Sequence, residues 1–95
     1  ARLMIHFLVH GEKDNVAVAV VNVLKGDTGR VMNMATGKKF DISTLSDIPL
    51  GHKVALNDFT TDDTVIKYDH DIGRAVSPIK KGEHVHVHNV KTKYW

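Results

Sequence analysis

The run at residues 16–23, Val-Ala-Val-Ala-Val-Val-Asn-Val, constrains the fold more than any other stretch of this chain. Val fills five of its eight positions. β-Branched side chains lose rotamer freedom in a helix and pack well on a pleated sheet, so the run predicts a strand. Its nearly unbroken apolarity predicts burial on both faces. Shorter runs of the same kind fall at residues 4–9, 52–56, 65–68, 74–76 and 84–88, and residues 30–34 and 38–42 read as a hairpin about a turn at 35–37. Clusters at 11–15 (Gly-Glu-Lys-Asp-Asn) and 25–29 supply turns, and residues 43–45 read as a short helical turn. Many short strands with close turns predict an all-β fold.

At 95 residues the chain is expected to form one domain, residues 1–95, with a thin core. A content of 42% hydrophobic and 25% charged residues excludes disorder and a coiled coil. No apolar run approaches the ~20 residues of a membrane span, so no membrane partner is expected. The absence of cysteine excludes a thiolate nucleophile, an iron–sulfur centre and a disulfide scaffold within the sequence. A net charge of +2, with only the short clusters Lys80–Lys81 and Lys91/Lys93, gives no basic stripe, so no nucleic acid is expected. Residues 1–9 read as a strand rather than a secretory leader, and the expected location is cytoplasmic.

One pattern recurs. Ile48-Pro-Leu-Gly-His-Lys-Val54 and Ile79-Lys-Lys-Gly-Glu-His-Val85 share apolar-x-x-Gly-x-x-Val, and Phe59-Thr-Thr-Asp-Asp-Thr-Val65 is a looser copy with Asp at the Gly position. Each reads as an apolar anchor, a tight turn and entry into a strand. Gly, and to a lesser extent Asp, tolerates the positive φ that such turns demand.

Histidine is the compositional oddity: there are seven, against six aromatic residues of the Phe, Tyr and Trp types. In Glu83-His-Val-His-Val-His-Asn89 the strand period predicts His84, His86 and His88 on one face and Val85, Val87 and Val90 on the core face. That His face is either a polar strand face, a substrate or acid–base site, or a metal chelate, since imidazole suits Fe, Zn, Ni and Mn. Gly51-His52-Lys53 either presents a cation from a turn to an anionic substrate or is a plain turn into a solvated strand. Residues 69–71 (Asp-His-Asp) read as a polar hairpin tip or as a group that binds a metal or orients a base. Asp14 and Asn15 close the first loop beside His10; they either satisfy turn backbone groups or face a cleft. No Gly-rich nucleotide loop and no nucleophile elbow occurs, so nothing makes a complete active site.

Taken together, His10 to Asn15, the Val-rich strand, Asp47-Ile-Pro-Leu-Gly-His-Lys-Val-Ala-Leu56, Val65-Ile-Lys-Tyr68, Ile72-Gly-Arg-Ala75 and Gly82-Glu-His-Val-His-Val-His-Asn-Val90 resemble the SAF domain of the altronate and galactarate dehydratases. The ending Asn89-Val-Lys-Thr-Lys-Tyr-Trp95 resembles the two-subunit sulfolactate sulfo-lyase branch, in which this domain is a separate short chain; an excised N-terminal domain of a longer dehydratase fits equally. The resemblance implies a β-clip fold and a lyase that removes water or sulfite β to the carboxylate of a small anionic hydroxy acid. It implies a divalent metal, iron(II), held mainly by a large catalytic subunit or domain, and an isolated chain without activity. The side chains expected at the joint site are His52, Lys53 and His88 as catalytic groups, with His10, Asp14, Asn15, Lys67, His86 and Asn89 binding substrate, and no metal ligand firmly assigned to this chain. The alternative expectations are a non-catalytic sugar-acid binding module and a stand-alone metal enzyme using His84, His86 and His88.

Overall fold

A computed structural model describes residues 4–91. Among them there is no helix, and nine strands make the fold all-β as expected. They are β1 (Phe7–Val9), β2 (Val16–Ala19), β3 (Thr28–Asn33), β4 (Lys39–Ser43), β5 (Lys53–Ala55), β6 (Thr64–Lys67), β7 (His70–Ala75), β8 (His84–Val85) and β9 (Val90–Lys91). Six strands form one sheet in the order β4-β3-β1-β2-β5-β8, and three form a second in the order β6-β7-β9. Among the described strands only β1 and β3 pair in parallel; the other pairs are antiparallel. One apolar core gathers Phe7, Val31, Ile42, Ile48 and Val54, and a second gathers Val16, Phe59, Val65, Ile79 and Val85. No helix of the described residues is long and apolar enough to cross a membrane.

The bends between strands are built by one device used four times. Residues 24–27, 49–52, 60–63 and 80–83 each close a four-residue turn, with the fourth N–H donating to the first carbonyl at 2.9–3.1 Å. The third residue has positive φ in every copy: Gly26 (88°), Gly51 (85°), Asp62 (75°) and Gly82 (92°). That is the requirement of a type II turn, and it explains why Gly, or once Asp, stands there. The residue before each turn (Val23, Ile48, Phe59 or Ile79) is a buried apolar anchor. The anchors are joined in twos by reciprocal backbone hydrogen bonds, Val23 with Ile48 (2.9 and 2.7 Å) and Phe59 with Ile79 (2.7 and 3.0 Å). Side chains lock the partners together. Asn22 Oδ1 accepts from Leu50 N at 2.8 Å, Asp47 Oδ1 from Lys25 N at 2.7 Å, and Asp58 Oδ1 from Lys81 N at 2.8 Å. The sequence pattern showed three of these corners; the fourth, at Val23, has Gly29 where the others have Val.

That fourth corner corrects the reading of residues 16–23 as one strand. The strand ends at Ala19, Val20 is 38% exposed, and Val23 returns as a corner anchor. The helical turn expected at 43–45 is absent. Ser43 ends β4, and the buried Thr44 hydroxyl lies 2.9 and 3.0 Å from the Leu24 and Asp27 carbonyls, so it serves the corner instead. The expected hairpin forms as β3 and β4, with Asn33 Oδ1 accepting from Ala35 N and Thr36 N in its loop. The tip of the β6–β7 hairpin is Tyr68–Asp69, both at positive φ, while His70 and Asp71 belong to β7. Residues 92–95, which carried part of the resemblance, lie outside the described residues.

Candidate functional site

Two corners deliver the histidines. His52 closes the turn at 49–52 and leads into β5; Glu83 closes the turn at 80–83, and His84 opens β8. β5 and β8 pair antiparallel, with Lys53 opposite Val85 and Val54 opposite His84. The pairing brings His52 Nδ1 and His84 Nε2 to 2.7 Å, with one proton between two nitrogens.

The fourth turn position shows why His52 is available. In the other three corners that position is acidic and accepts from the first residue's N–H: Asp27 from Leu24 (3.4 Å), Asp63 from Thr60 (2.7 Å) and Glu83 from Lys80 (2.6 Å). At the remaining corner the first residue is Pro49, which has no N–H to satisfy. The carboxylate is therefore unnecessary, and an imidazole occupies its place.

The strand expected over residues 84–88 ends at Val85. Asn89 is the cause. Its Oδ1 accepts from His86 N at 2.9 Å and its Nδ2 donates to the His84 carbonyl at 2.8 Å, closing a local turn in place of a ladder. Val85 keeps its core place, but Val87 is 74% exposed, so the expected alternation fails beyond the second residue. The turn still gathers the rings. His52 stacks on His86 with centroids 3.9 Å apart and on His84 at 5.0 Å, and His88 lies 5.1 Å from His84. The convergence comes from a corner and an Asn-held turn, not from a shared strand face.

His52, His84 and His86 each offer a ring nitrogen, and these atoms lie within 4.8 Å of one another. Burial, then the charges of His88, His52, His86 and Lys53, hold His84 below its ordinary value of 6.5. Burial, followed by His52, Lys53 and His88, does the same to His86. His86 Nδ1 is buried with no hydrogen-bond partner. A set of crowded imidazoles with an unsatisfied buried nitrogen is a donor set that fits a divalent transition metal.

Beside the cluster a cleft of ≈ 220 Å³ is walled by Ile72, Val85 and Val90 and rimmed by Lys53, His86 and Lys91. Burial, with repulsion from Lys67 second, lowers the Lys53 ammonium from its ordinary value. Lys67 Nζ sits 5.2 Å above the Tyr68 ring, which stacks on His10 at 4.4 Å. Tyr68 thus links two residues expected at the site, His10 and Lys67; its positive φ at a hairpin tip had no signal in the sequence.

The other expected side chains are engaged with backbone. Asp14 Oδ2 accepts from Gly11 N (3.1 Å) and Tyr68 N (3.0 Å), and its Oδ1 accepts from Asp69 N (2.8 Å), tying the first loop to the β6–β7 tip. Burial works against the charge of that carboxylate, but the amides of Asp69, Tyr68, Gly11 and His10 hold it below its ordinary value. Asn15 accepts from Ile66 N at 2.8 Å and donates to the Thr64 carbonyl at 3.0 Å.

Comparison with known proteins adds three findings. Residues 5–93 match the family model described as the altronate/galactarate dehydratase SAF domain. The chain is 48% identical over 96 residues to (2R)-sulfolactate sulfo-lyase subunit alpha of Chromohalobacter salexigens, covering 98% of this chain and all of that protein. It is 36% identical over 86 residues to altronate dehydratase of Bacillus subtilis, covering 90% of this chain but 16% of that protein.

Proposed function

The chain belongs to the SAF-domain family of the altronate and galactarate dehydratases, and on that premise we propose that it is the small subunit of a hydroxy-acid lyase, completing an active site held by a larger subunit. The single observation that carries this reading is the full-length match to a sulfo-lyase subunit alpha. A titratable cluster beside a lysine-rimmed cleft supports the reading. We take the whole chain as one SAF domain working in the cytoplasm. The relatives are named as lyases, which leaves the carbohydrate-binding alternative without a supporting observation.

The proposed substrate is (2R)-sulfolactate. In the elimination, a base takes the C2 proton, its electron pair forms the C2=C3 bond, and the C3–S bond breaks to release sulfite. The enol left behind tautomerises to pyruvate. An altronate-type dehydration follows the same course with hydroxide leaving from C3. A divalent metal, proposed as iron(II), would polarise the carboxylate and hydroxyl oxygens and acidify the C2 proton. Among the described residues, His52, His84 and His86 are the set that could hold such an ion.

Lys53 is placed to pair with the carboxylate or sulfonate at the cleft rim, and its half-buried position strengthens that attraction. His88, beside His84, is assigned to proton transfer at the leaving group, and His52 stacks on His86, which lines the cleft. Apolar Ile72, Val85 and Val90 exclude water from that side of the cleft. Asn89 positions His84 and His86 through their backbones. Asp14 and Asn15 position the loop that carries His10, so their part in substrate binding is indirect.

The test is co-expression of the chain with the large subunit of a sulfolactate sulfo-lyase. Co-purification, with sulfite released by the pair and not by the chain alone, is the expected result. Failure to associate removes the subunit reading, and dehydration of altronate without sulfolactate turnover moves the substrate to a sugar acid.

A further inference from the structure

We propose that His52, His84 and His86 bind one divalent transition-metal ion on this chain by itself, as a three-imidazole site with further coordination positions open. Each of the three imidazoles places a ring nitrogen within 4.8 Å of the other two, His52 Nδ1 lies 2.7 Å from His84 Nε2, and the buried His86 Nδ1 has no hydrogen-bond partner. One proton serves the His52–His84 pair, and further protons would place like charges in contact. A single cation can accept all three lone pairs at once. Metal–imidazole bonds of about 2.0–2.1 Å set donors about 3–3.5 Å apart in one shell. The three donor nitrogens, all within 4.8 Å of one another, lie near that spacing, so a small adjustment of the rings would bring them to one ion.

The supports are rigid. His52 is fixed by the Pro49 corner, His84 by its pairing in β8, and His86 by the buried Asn89, which is 8% exposed. Held backbones keep the donors assembled before the ion arrives, which is what metal affinity requires of a preformed site. Three protein ligands with an open position is the pattern of catalytic rather than structural sites. Lys53 at the cleft rim opposes a nearby cation, so an anionic fourth ligand would bind there more tightly than water. The site stands on this chain's geometry and not on the lyase reading.

The test is titration of Co²⁺ into the chain without any partner, followed by visible absorption and by calorimetry. The expected result is one saturable site per chain, with His84→Ala and His86→Ala each weakening binding at least about tenfold. His70→Ala, an exposed histidine in β7, should leave the affinity within about twofold. Where an Ala variant does not fold by circular dichroism, His52→Gln carries the same prediction. Absence of a saturable site, or a site that survives His84→Ala and His86→Ala unchanged, overturns the proposal. Association with the large subunit is measured separately, so failure of one reading does not decide the other.

Discussion

The corner at 49–52 and its three counterparts share a backbone and differ in chemistry. All four have the same turn hydrogen bond and the same positive φ at the third residue. Three need a carboxylate at the fourth position to cap the first N–H; the one that starts with Pro49 does not. The imidazole cluster begins at that exempt corner. A structural requirement removed by a proline leaves a fixed, well-aimed position free to carry function.

The comparison can be broken by substitution. Gly82→Ala should have the largest effect. Its φ is +92° and an added Cβ would sit 2.3 Å from the Ser43 carbonyl oxygen, a backbone atom that cannot swing away. A loss of about 3 kcal/mol or more is expected. Gly51→Ala, at φ +85° with nothing within 4 Å, should cost about 1 kcal/mol. Urea midpoints measure both, and equal losses would show that the surroundings of the corners do not matter.

Asp63→Ala should cost about 1 kcal/mol by leaving Thr60 N uncapped, whereas His52→Ala should stay within about 0.5 kcal/mol. Pro49→Ala restores the missing N–H, so adding His52→Asp to it should regain about 0.5–1 kcal/mol. No regain in that double variant would refute the exemption argument.

The pH dependence sharpens the same contrast. His84 and His86, held below 6.5 by burial and neighbouring charge, bind fewer protons folded than unfolded. Stability they allow is fully present above pH 6.5 and declines as pH falls below it. The lowered Asp14 carboxyl adds a further decline only as pH drops through and below its ordinary value of 3.8. His86→Ala should flatten the first decline and leave the second, as read by thermal melts across pH. The smallest effect belongs to Arg30→Ala, which removes the exposed 3.1 Å pair with Asp41 and should change stability by less than about 0.5 kcal/mol.

Much of the fold was readable because side-chain type and backbone demand coincide at particular residues. Val-rich segments became strands, and Gly51, Gly82 and Asp62 stood where positive φ is needed. The Val23 corner was hidden because it lies inside an apolar run whose residues are equally good strand formers. His52 and Lys53 were visible as a Gly-turn pair, and the grouping of His84, His86 and His88 was visible as spacing. The reason for the grouping was not, because a strand period cannot anticipate that Asn89 captures the His86 amide and the His84 carbonyl. The contacts of Asp14 with Tyr68 and Asp69, more than 50 residues away in sequence, could only emerge from the folded chain.

The most direct test of the account is turnover by the chain reconstituted with its large subunit, measured for His52→Ala beside Asp63→Ala. The account predicts that His52→Ala, by removing one donor of the metal-binding set, lowers turnover at least about 100-fold while fold stability stays within about 0.5 kcal/mol. It predicts the reverse for Asp63→Ala, a weakened fold with near-normal turnover once assembled. Near-normal rates for His52→Ala, and likewise for Lys53→Ala and His88→Ala, would contradict it.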